Sequence, residues 1–302
     1  MRYAGIFLCD RCLIRTVESR FRKTVAMHRL INPGDRIAVA VSGGKDSVSC
    51  MRLLAGYCSG KRCELVAITV DEGIKGYRSE GLRLAIKNAR ELGVEHFTVR
   101  FRDVLGSTLD AMVKKSAHKS GMNPCTLCGV IRRALLNRAA KKLDAQKLAT
   151  AHNMDDEVQA IMLNYVRSDF SRLYRLGPKY EAKRGFVPRI KPLREIPEKE
   201  MALYAMLSGI EVHLGTCPYS GGLHSEIRDF LNSLEENHPN SKFMILRMFD
   251  RMKPFLSKAA GKADLGECEV CGEPTPSRLC KACSLSRELG LTSKDLIIRS
   301  SS

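Results

Sequence analysis

The sequence predicts an α/β protein, a doubly wound parallel sheet carrying an added helical region and small cysteine modules. Three observations carry this. Apolar runs of strand length alternate with helix-length segments through the first half of the chain. A glycine-rich turn, Ser42-Gly43-Gly44-Lys45-Asp46-Ser47, joins one buried run to a helix. Four Cys-x-x-Cys pairs fall largely outside those elements.

Residues 1–30 hold one cysteine pair and a basic helical stretch. Asn32-Pro33-Gly34-Asp35 is a turn signal, and Arg36–Val41 reads as a buried strand. Asp46–Tyr57 reads as a helix. Glu64–Val70 is a second strand ended by Asp71-Glu72-Gly73, and a helix follows from about Arg78 to Leu92. Glu95–Phe101 alternates as a third strand. Helices near 107–118 and 129–143 bracket a loop with Cys125 and Cys128. Lys147–Ala151 is a fourth strand and Asp155–Arg167 another helix. Arg167–Arg194 changes character: rich in Arg and Lys and broken by Gly177-Pro178, Pro188 and Pro192, it reads as a loop-rich excursion. A helix over Pro197–Leu207, a turn at Cys217, helices around 223–236 and 239–256, a linker at 261–264 and a cysteine module over Glu267–Arg287 complete the chain. The divisions expected are 1–30, 31–220, 221–262 and 263–302.

Composition narrows the function class. The 302 residues, 44% hydrophobic and 27% charged, exclude wholesale disorder. No apolar run reaches the roughly 18 residues of a membrane helix. The opening apolar stretch is too short for a secretory signal, so a cytoplasmic protein is expected. Fifty Lys and Arg against 33 Asp and Glu leave a net charge of +17, which calls for a polyanionic partner, nucleic acid before membrane. Arg132, Arg133, Arg138, Lys141 and Lys142 share one helix. Arg172, Arg175, Lys179, Lys183, Arg184, Arg189, Lys191 and Arg194 follow; about half of these cations form a solvated face and the rest meet phosphate. With 6% aromatics and no Trp, a dedicated base-stacking platform is not expected.

Twelve cysteines in a reducing compartment point to metal or redox chemistry. Cys268, Cys271, Cys280 and Cys283 form two knuckles suited to one tetrahedral zinc, in a module too small to fold on its own core. RNA docking and a structural clip are its two readings. Cys125 and Cys128 can share a metal, with Cys217 as third ligand if the fold returns it. Spacing alone leaves an iron–sulfur cluster, zinc and a redox disulfide open. Cys9 and Cys12 read as an incomplete zinc finger, with His28 a candidate helper. Cys50, Cys58 and Cys63 read as ordinary core or near-surface cysteines.

In the Ser42–Ser47 turn, glycines admit an oxyanion close to the backbone, the helix start presents free N–H groups, and the serines add donors. It is not a Walker A loop, which needs GxxxxGK before Ser or Thr. The hexapeptide resembles the PP-loop of the N-type ATP pyrophosphatases, which cleave ATP between the α- and β-phosphates to activate an oxygen as its adenylate. Val70-Asp71-Glu72-Gly73 resembles that family's adenine-facing segment. Ala151-His152-Asn153-Met154-Asp155-Asp156 resembles its Gly-His-Asn-x-Asp-Asp signature, with Ala151 replacing glycine. Asp155 and Asp156 read either as helix caps or, preferred, as carboxylates near Mg-ATP.

Pro124-Cys125-Thr126-Leu127-Cys128-Gly129, with Cys217 before Pro218, resembles the TtcA/TtuA family of tRNA thiolases. The resemblance spans nearly all of residues 9–287. It implies that Cys125, Cys128 and Cys217 hold a 4Fe–4S cluster with one iron left to carry sulfur. It implies ATP and Mg at Ser42, Gly43, Gly44, Lys45, Asp46, Ser47, Val70, Asp71, Arg132, Ala151 and Asp156. Lys45, Asp46, Asp156 and Arg132 would organise charge during catalysis. The implied activity is tRNA uridine 2-sulfurtransfer: adenylation of the C2 oxygen, then sulfur replacing AMP. Asp71-Glu72-Gly73-Ile74 and the C-terminal zinc module most resemble the branch acting on the wobble uridine. That branch implies a ubiquitin-like sulfur carrier as donor and a homodimer or a heterodimer with a paralogue. The T-loop uridine, and a non-catalytic zinc- and ATP-binding RNA adaptor, are the alternatives.

Overall fold

The computed structural model describes residues 5–117, 122–180, 185–259, 265–291 and 295–301. The expected linker at 261–264, Lys183 and Arg184 of the basic run, residues 1–4 and Ser302 lie outside them. Helix α1 (Asp10–Met27) leads to β1 (Arg36–Ala40), α2 (Lys45–Ser59), β2 (Glu64–Asp71), α3 (Arg78–Glu91) and β3 (Glu95–Arg100). Then come α4 (Phe101–Leu105), α5 (Leu109–Ala117), α6 (Pro124–Lys142), β4 (Lys147–Ala149), α7 (Met154–Val166) and α8 (Phe170–Leu173). After β5 (Lys179–Tyr180), β6 (Arg189–Ile190) and α9 (Glu198–Leu207), helices α10 (Leu223–Asn237) and α11 (Ser241–Ala259) follow. The chain closes with β7 (Gly266–Glu267), β8 (Pro274–Thr275), α12 (Lys281–Glu288) and β9 (Arg299–Ser300).

The main sheet runs β5-β6-β4-β1-β2-β3-β9, with β6, β4, β1, β2 and β3 parallel and antiparallel strands at both edges. Side chains alternate across it. Ile37, Val39 and Ala67 face α1, α2, α3 and α9, whereas Ala38, Val66 and Ile68 face α4, α5, α6 and α12. Both faces are therefore covered, as the near-continuous apolar strands require. The sheet departs from expectation at both edges. The 167–194 excursion contributes β5 and β6, so a fifth parallel strand flanks β4; the tail adds β9 beside β3.

Helix α1 packs Val17, Phe21 and Val25 into the first core. Helix α12 places Leu285 and Leu289 in the second. Helices α10 and α11 form a third cluster on α7, where Ile227, Leu231, Leu246 and Phe249 meet Val158 and Ile161. The largest fully buried side chain among the described residues ties this layer down. Arg194, 0% exposed, bonds Glu157 Oε2 (3.2 Å) and grips Asp250 with both terminal nitrogens (2.9 and 2.6 Å). This corrects its expected place on a solvated or phosphate-binding face. Lys191, from the same basic run, also pairs with Glu157.

Candidate active site

Strand β1 lies between β4 and β2, so the chain leaves it in opposite directions on either side. Such a switch point opens a crevice beyond the strand's C-terminal end. Ser42–Ser47 occupies that crevice. Ser47 Oγ accepts from Ser42 N (3.0 Å), lies 3.0 Å from Ser42 Oγ and donates to the Gly44 carbonyl (2.9 Å). Gly44 is the N-cap of α2 with no side-chain cap, so the first-turn N–H groups remain available to an anion. Gly43 has φ +86°, and a Cβ there would fall 2.0 Å from the Gly81 carbonyl oxygen of α3. His213 N donates to the Gly43 carbonyl (2.8 Å).

Charge gathers beside this loop. Lys45 Nζ donates to Asp46 Oδ2 (2.9 Å) and Glu198 Oε1 (2.7 Å). Burial alone would lower the Lys45 pKa, but the two carboxylates more than offset it and raise the value. Asp46 also accepts from Asn153 Nδ2 (3.3 Å), and burial raises its pKa. Asp156 closes a capping box with Asn153 at the start of α7. Burial pushes its carboxyl up to about 7, with the charges of Asp46 and Glu198 adding to the effect. Asp156 therefore serves as a helix cap and still stands among carboxylates; three such groups around one lysine suit a divalent cation bound with phosphate. Asp155 accepts from Glu198 N (2.7 Å) and pairs with Lys242.

The adenine-facing segment sits at the end of β2. Val70 is buried, so its side chain belongs to the core and its backbone alone can face a nucleotide. Asp71 accepts from Gly73 N (2.9 Å) and lies 3.6 Å from Arg100. Ala151, half-buried, follows β4 against the first core. Glu72, expected only as part of the adenine-facing segment, is buried between Arg78 (3.1 Å) and Arg132 (3.5 Å). Arg78 donates to the Ser42 carbonyl (3.0 Å), linking the glycine turn to the helix that carries Arg132.

Cys125 and Cys128 lie on the first two turns of α6, not in the expected loop. Asn123 caps the helix by accepting from Cys125 N and Thr126 N, and Pro124 occupies the first turn, where its missing N–H costs nothing. Cys217 returns to them: its charge would raise the pKa of both thiols. Burial is the main cause of those shifts and takes Cys128 to about 11. Cys125 Sγ donates to the Tyr219 carbonyl (2.9 Å), fixing the Cys217 turn against α6. A cleft of about 590 Å³ is lined by both Cys125 and Asp156.

The C-terminal cysteines are packed differently. Cys268, Cys271, Cys280 and Cys283 place their sulfurs within 4.8 Å of one another, and no other such group occurs among the described residues. Cys271 and Cys280 sulfurs lie 3.6 Å apart. A tetrahedral ion with Zn–S of about 2.3 Å separates its sulfurs by about 3.8 Å, so this donor set fits zinc. Cys125, Cys128 and Cys217 are not drawn that close, and a cluster whose thiolates sit on different irons needs wider spacing than one ion.

Cys9 and Cys12 are exposed at the start of α1, where their side chains share a hydrogen bond. His28 cannot assist them. It lies beyond the opposite end of this 18-residue helix, some 25 Å away at about 1.5 Å per residue, and bonds Glu195 (2.8 Å). Cys50 and Cys58 are buried in the first core, with Cys63 half-buried against it.

Comparisons with known proteins agree with this architecture. Residues 14–213 match the PP-loop domain model ATP_bind_3. The chain is 36% identical over 303 residues to the tRNA 2-thiolation protein NcsA of Haloferax volcanii, covering 94% of this chain and 93% of that one. It is 33% identical over 300 residues to the cytoplasmic tRNA 2-thiolation protein 1 of Caenorhabditis elegans, covering 98% and 79%. The solved U34-tRNA thiolase NcsA of Methanococcus maripaludis, with its 4Fe–4S cluster, is 38% identical and superposes with a TM-score of 0.82 over 97% of this chain and 94% of its own. The chain thus belongs to the PP-loop family of tRNA 2-thiolation proteins.

Proposed function

We propose that this chain uses ATP to adenylate the C2 oxygen of the wobble uridine of tRNA and replaces that oxygen with sulfur. One observation carries the reading: a single cleft is lined by Asp156, beside the glycine turn, and by Cys125 of the thiol trio. An oxygen activated at one end stands within reach of sulfur at the other. A non-catalytic adaptor would need neither group. The U34 in the name of the Methanococcus maripaludis relative supports the wobble position over the T-loop.

The uridine oxygen attacks the α-phosphorus and pyrophosphate leaves; sulfur then adds at C2 and AMP departs with the original oxygen. The free N–H groups at the start of α2 hold phosphate oxygens. Lys45 offsets charge on the departing pyrophosphate. Asp46, Asp156 and Glu198 offer carboxylates to Mg. Arg132, one helical turn after Cys128 and tied to Glu72, extends positive charge toward the thiols. A 4Fe–4S cluster on Cys125, Cys128 and Cys217 would supply an iron without a protein ligand, open to sulfur. Zinc on the C-terminal four cysteines would be structural. A ubiquitin-like sulfur carrier, a cytoplasmic setting and a dimer of like or paralogous chains belong to the same reading. So does the division into residues 1–30, 31–220, 221–262 and 263–302.

Mass spectrometry of tRNA nucleosides, mapped by position, tests this. The wild-type chain should form 2-thiouridine at the wobble position in a strain lacking the endogenous activity. Asp46→Ala should abolish it through lost ATP use while keeping an oxygen-sensitive brown chromophore. Thiolation by a variant lacking Cys125, Cys128 and Cys217 would remove the sulfur site from the proposal.

A further inference from the structure

Two clefts outside the active site share a chemistry. The larger, about 940 Å³, lies between α1 and α11. Arg15, Lys23 and Arg247 stand exposed on its walls, and Lys253 is half-buried within it. Its two acids are already engaged, Glu195 with His28 (2.8 Å) and Asp250 with Arg194 (2.6 Å). None of the four cations has an ion pair among the described residues.

The second cleft, about 710 Å³, separates the segment around β6 from the four-cysteine module. Arg189 and Lys281 are among the cations that line it, and among the described residues no Asp or Glu does. The two clefts meet at Gly177-Pro178, Pro178 lining the first and Gly177 the second. Lys253 bridges them: a Cβ on Gly177 would fall 2.2 Å from its Nζ. At the far side, Arg189 donates to the Arg133 carbonyl (3.3 Å) on α6, the helix of Cys125 and Cys128. Burial and the neighbouring Arg189, Arg132 and Arg172 lower the Arg133 pKa to about 10, a mark of crowded positive charge.

We infer that these clefts form one cationic trough that carries the sugar–phosphate backbone of the RNA substrate, from the α1–α11 groove across Gly177 to the four-cysteine module. The inference rests on the tRNA-thiolating function proposed above. Cations strung through two clefts in series match a polyanion of regularly repeated charge. An acidic protein surface would meet them on a single face instead. Phosphate contacts of this kind position the nucleic acid without reading its sequence.

The test is filter binding of full-length tRNA across a salt series. The variant combines Arg15→Gln, Lys23→Gln and Arg247→Gln, all exposed and outside the ATP site. Each lost phosphate contact flattens the log–log salt slope by about 0.7–0.9, so three should flatten it by roughly 2–3. Affinity near physiological salt should fall at least about tenfold, while ATP binding and zinc content stay at wild-type levels. Lys281→Gln, at the other end, should flatten the slope by about one contact's worth. An unchanged slope and affinity in the triple variant overturns the trough. So does a variant that keeps its tRNA slope but loses binding to a sulfur-carrier protein. A wild-type chain that binds tRNA through these cations yet makes no 2-thiouridine would count against the function and leave the trough standing.

Discussion

The two cysteine centres invite direct comparison. Cys125, Cys128 and Cys217 supply three thiols; Cys125 is exposed, and all three stand near a cleft that reaches the ATP-side carboxylates. Cys268, Cys271, Cys280 and Cys283 supply four, three of them buried, with every sulfur inside 4.8 Å. Three ligands would leave a coordination position for chemistry and four would leave none, the distinction between catalytic and structural metal sites. Their settings differ in kind too. Two of the trio sit near the start of a long helix packed on the sheet, and the turn of the third is tied to that helix by the hydrogen bond from Cys125 to the Tyr219 carbonyl. The quartet forms its own small cluster, with Cys271, Leu279 and Ala282 around three buried sulfurs, so its geometry depends on the ion.

Substitution separates the two most sharply. Cys128→Ser should abolish 2-thiouridine formation and the brown chromophore while leaving zinc content, ATP binding and thermal unfolding near wild type. Metal analysis beside nucleoside mass spectrometry reads this out, and a Cys128 variant short of zinc would erase the distinction. Cys268→Ser should lose about one zinc per chain and destabilise the C-terminal module, exposing it to limited proteolysis. ATP binding should persist, since the described residues of the module share no hydrogen bond or ion pair with the glycine turn. A smaller effect, confined to stability, is expected at a position belonging to neither centre. Arg194→Met leaves Glu157 buried with only Lys191 beside it and should cost about 3–5 kcal/mol in chemical denaturation. Burial would raise the Glu157 pKa, but Lys191 and Arg194 more than offset that and lower it. A depressed carboxylate stabilises the fold above its unfolded pKa and loses that contribution as pH falls through its folded value. The wild-type advantage over Arg194→Met should therefore narrow below about pH 4.

What could be read from the sequence follows the length scale of each signal. The buried strands at 36–41 and 64–70 and the glycine turn are local patterns, and they appear where expected. Strands β5, β6 and β9 are two residues each, too short to carry an alternating pattern, and pairing alone defines them. The start of α6 was legible in principle: Asn123 before Pro124 is a capping signal that starts the helix five residues ahead of the expected 129. The candidate site divides the same way. Its cysteines and PP-loop residues announce themselves, whereas Glu198 meets Lys45 across 153 residues and Glu72 meets Arg132 across 60. No periodicity encodes such meetings. They exist because the sheet order brings distant loops to one crevice.

The approach of the glycine turn to α3 has a consequence for how this protein can vary. A methyl on Gly43 would strike the Gly81 carbonyl, and one on Gly81 would fall 2.8 Å from the Ser42 carbonyl oxygen. Both obstacles are main chain, which every amino acid shares, so no replacement at a neighbouring position removes them. Compensation, the usual route by which two positions drift together, is closed. Gly44, whose added carbon would meet only the Ser42 hydroxyl at 3.5 Å, and Gly56, which would meet nothing within 4 Å, carry no such restriction. In an exhaustive mutational library, Gly43 and Gly81 should be empty columns separated by 37 positions, and the glycine turn would inherit its intolerance from the main chain of a helix it only touches in passing.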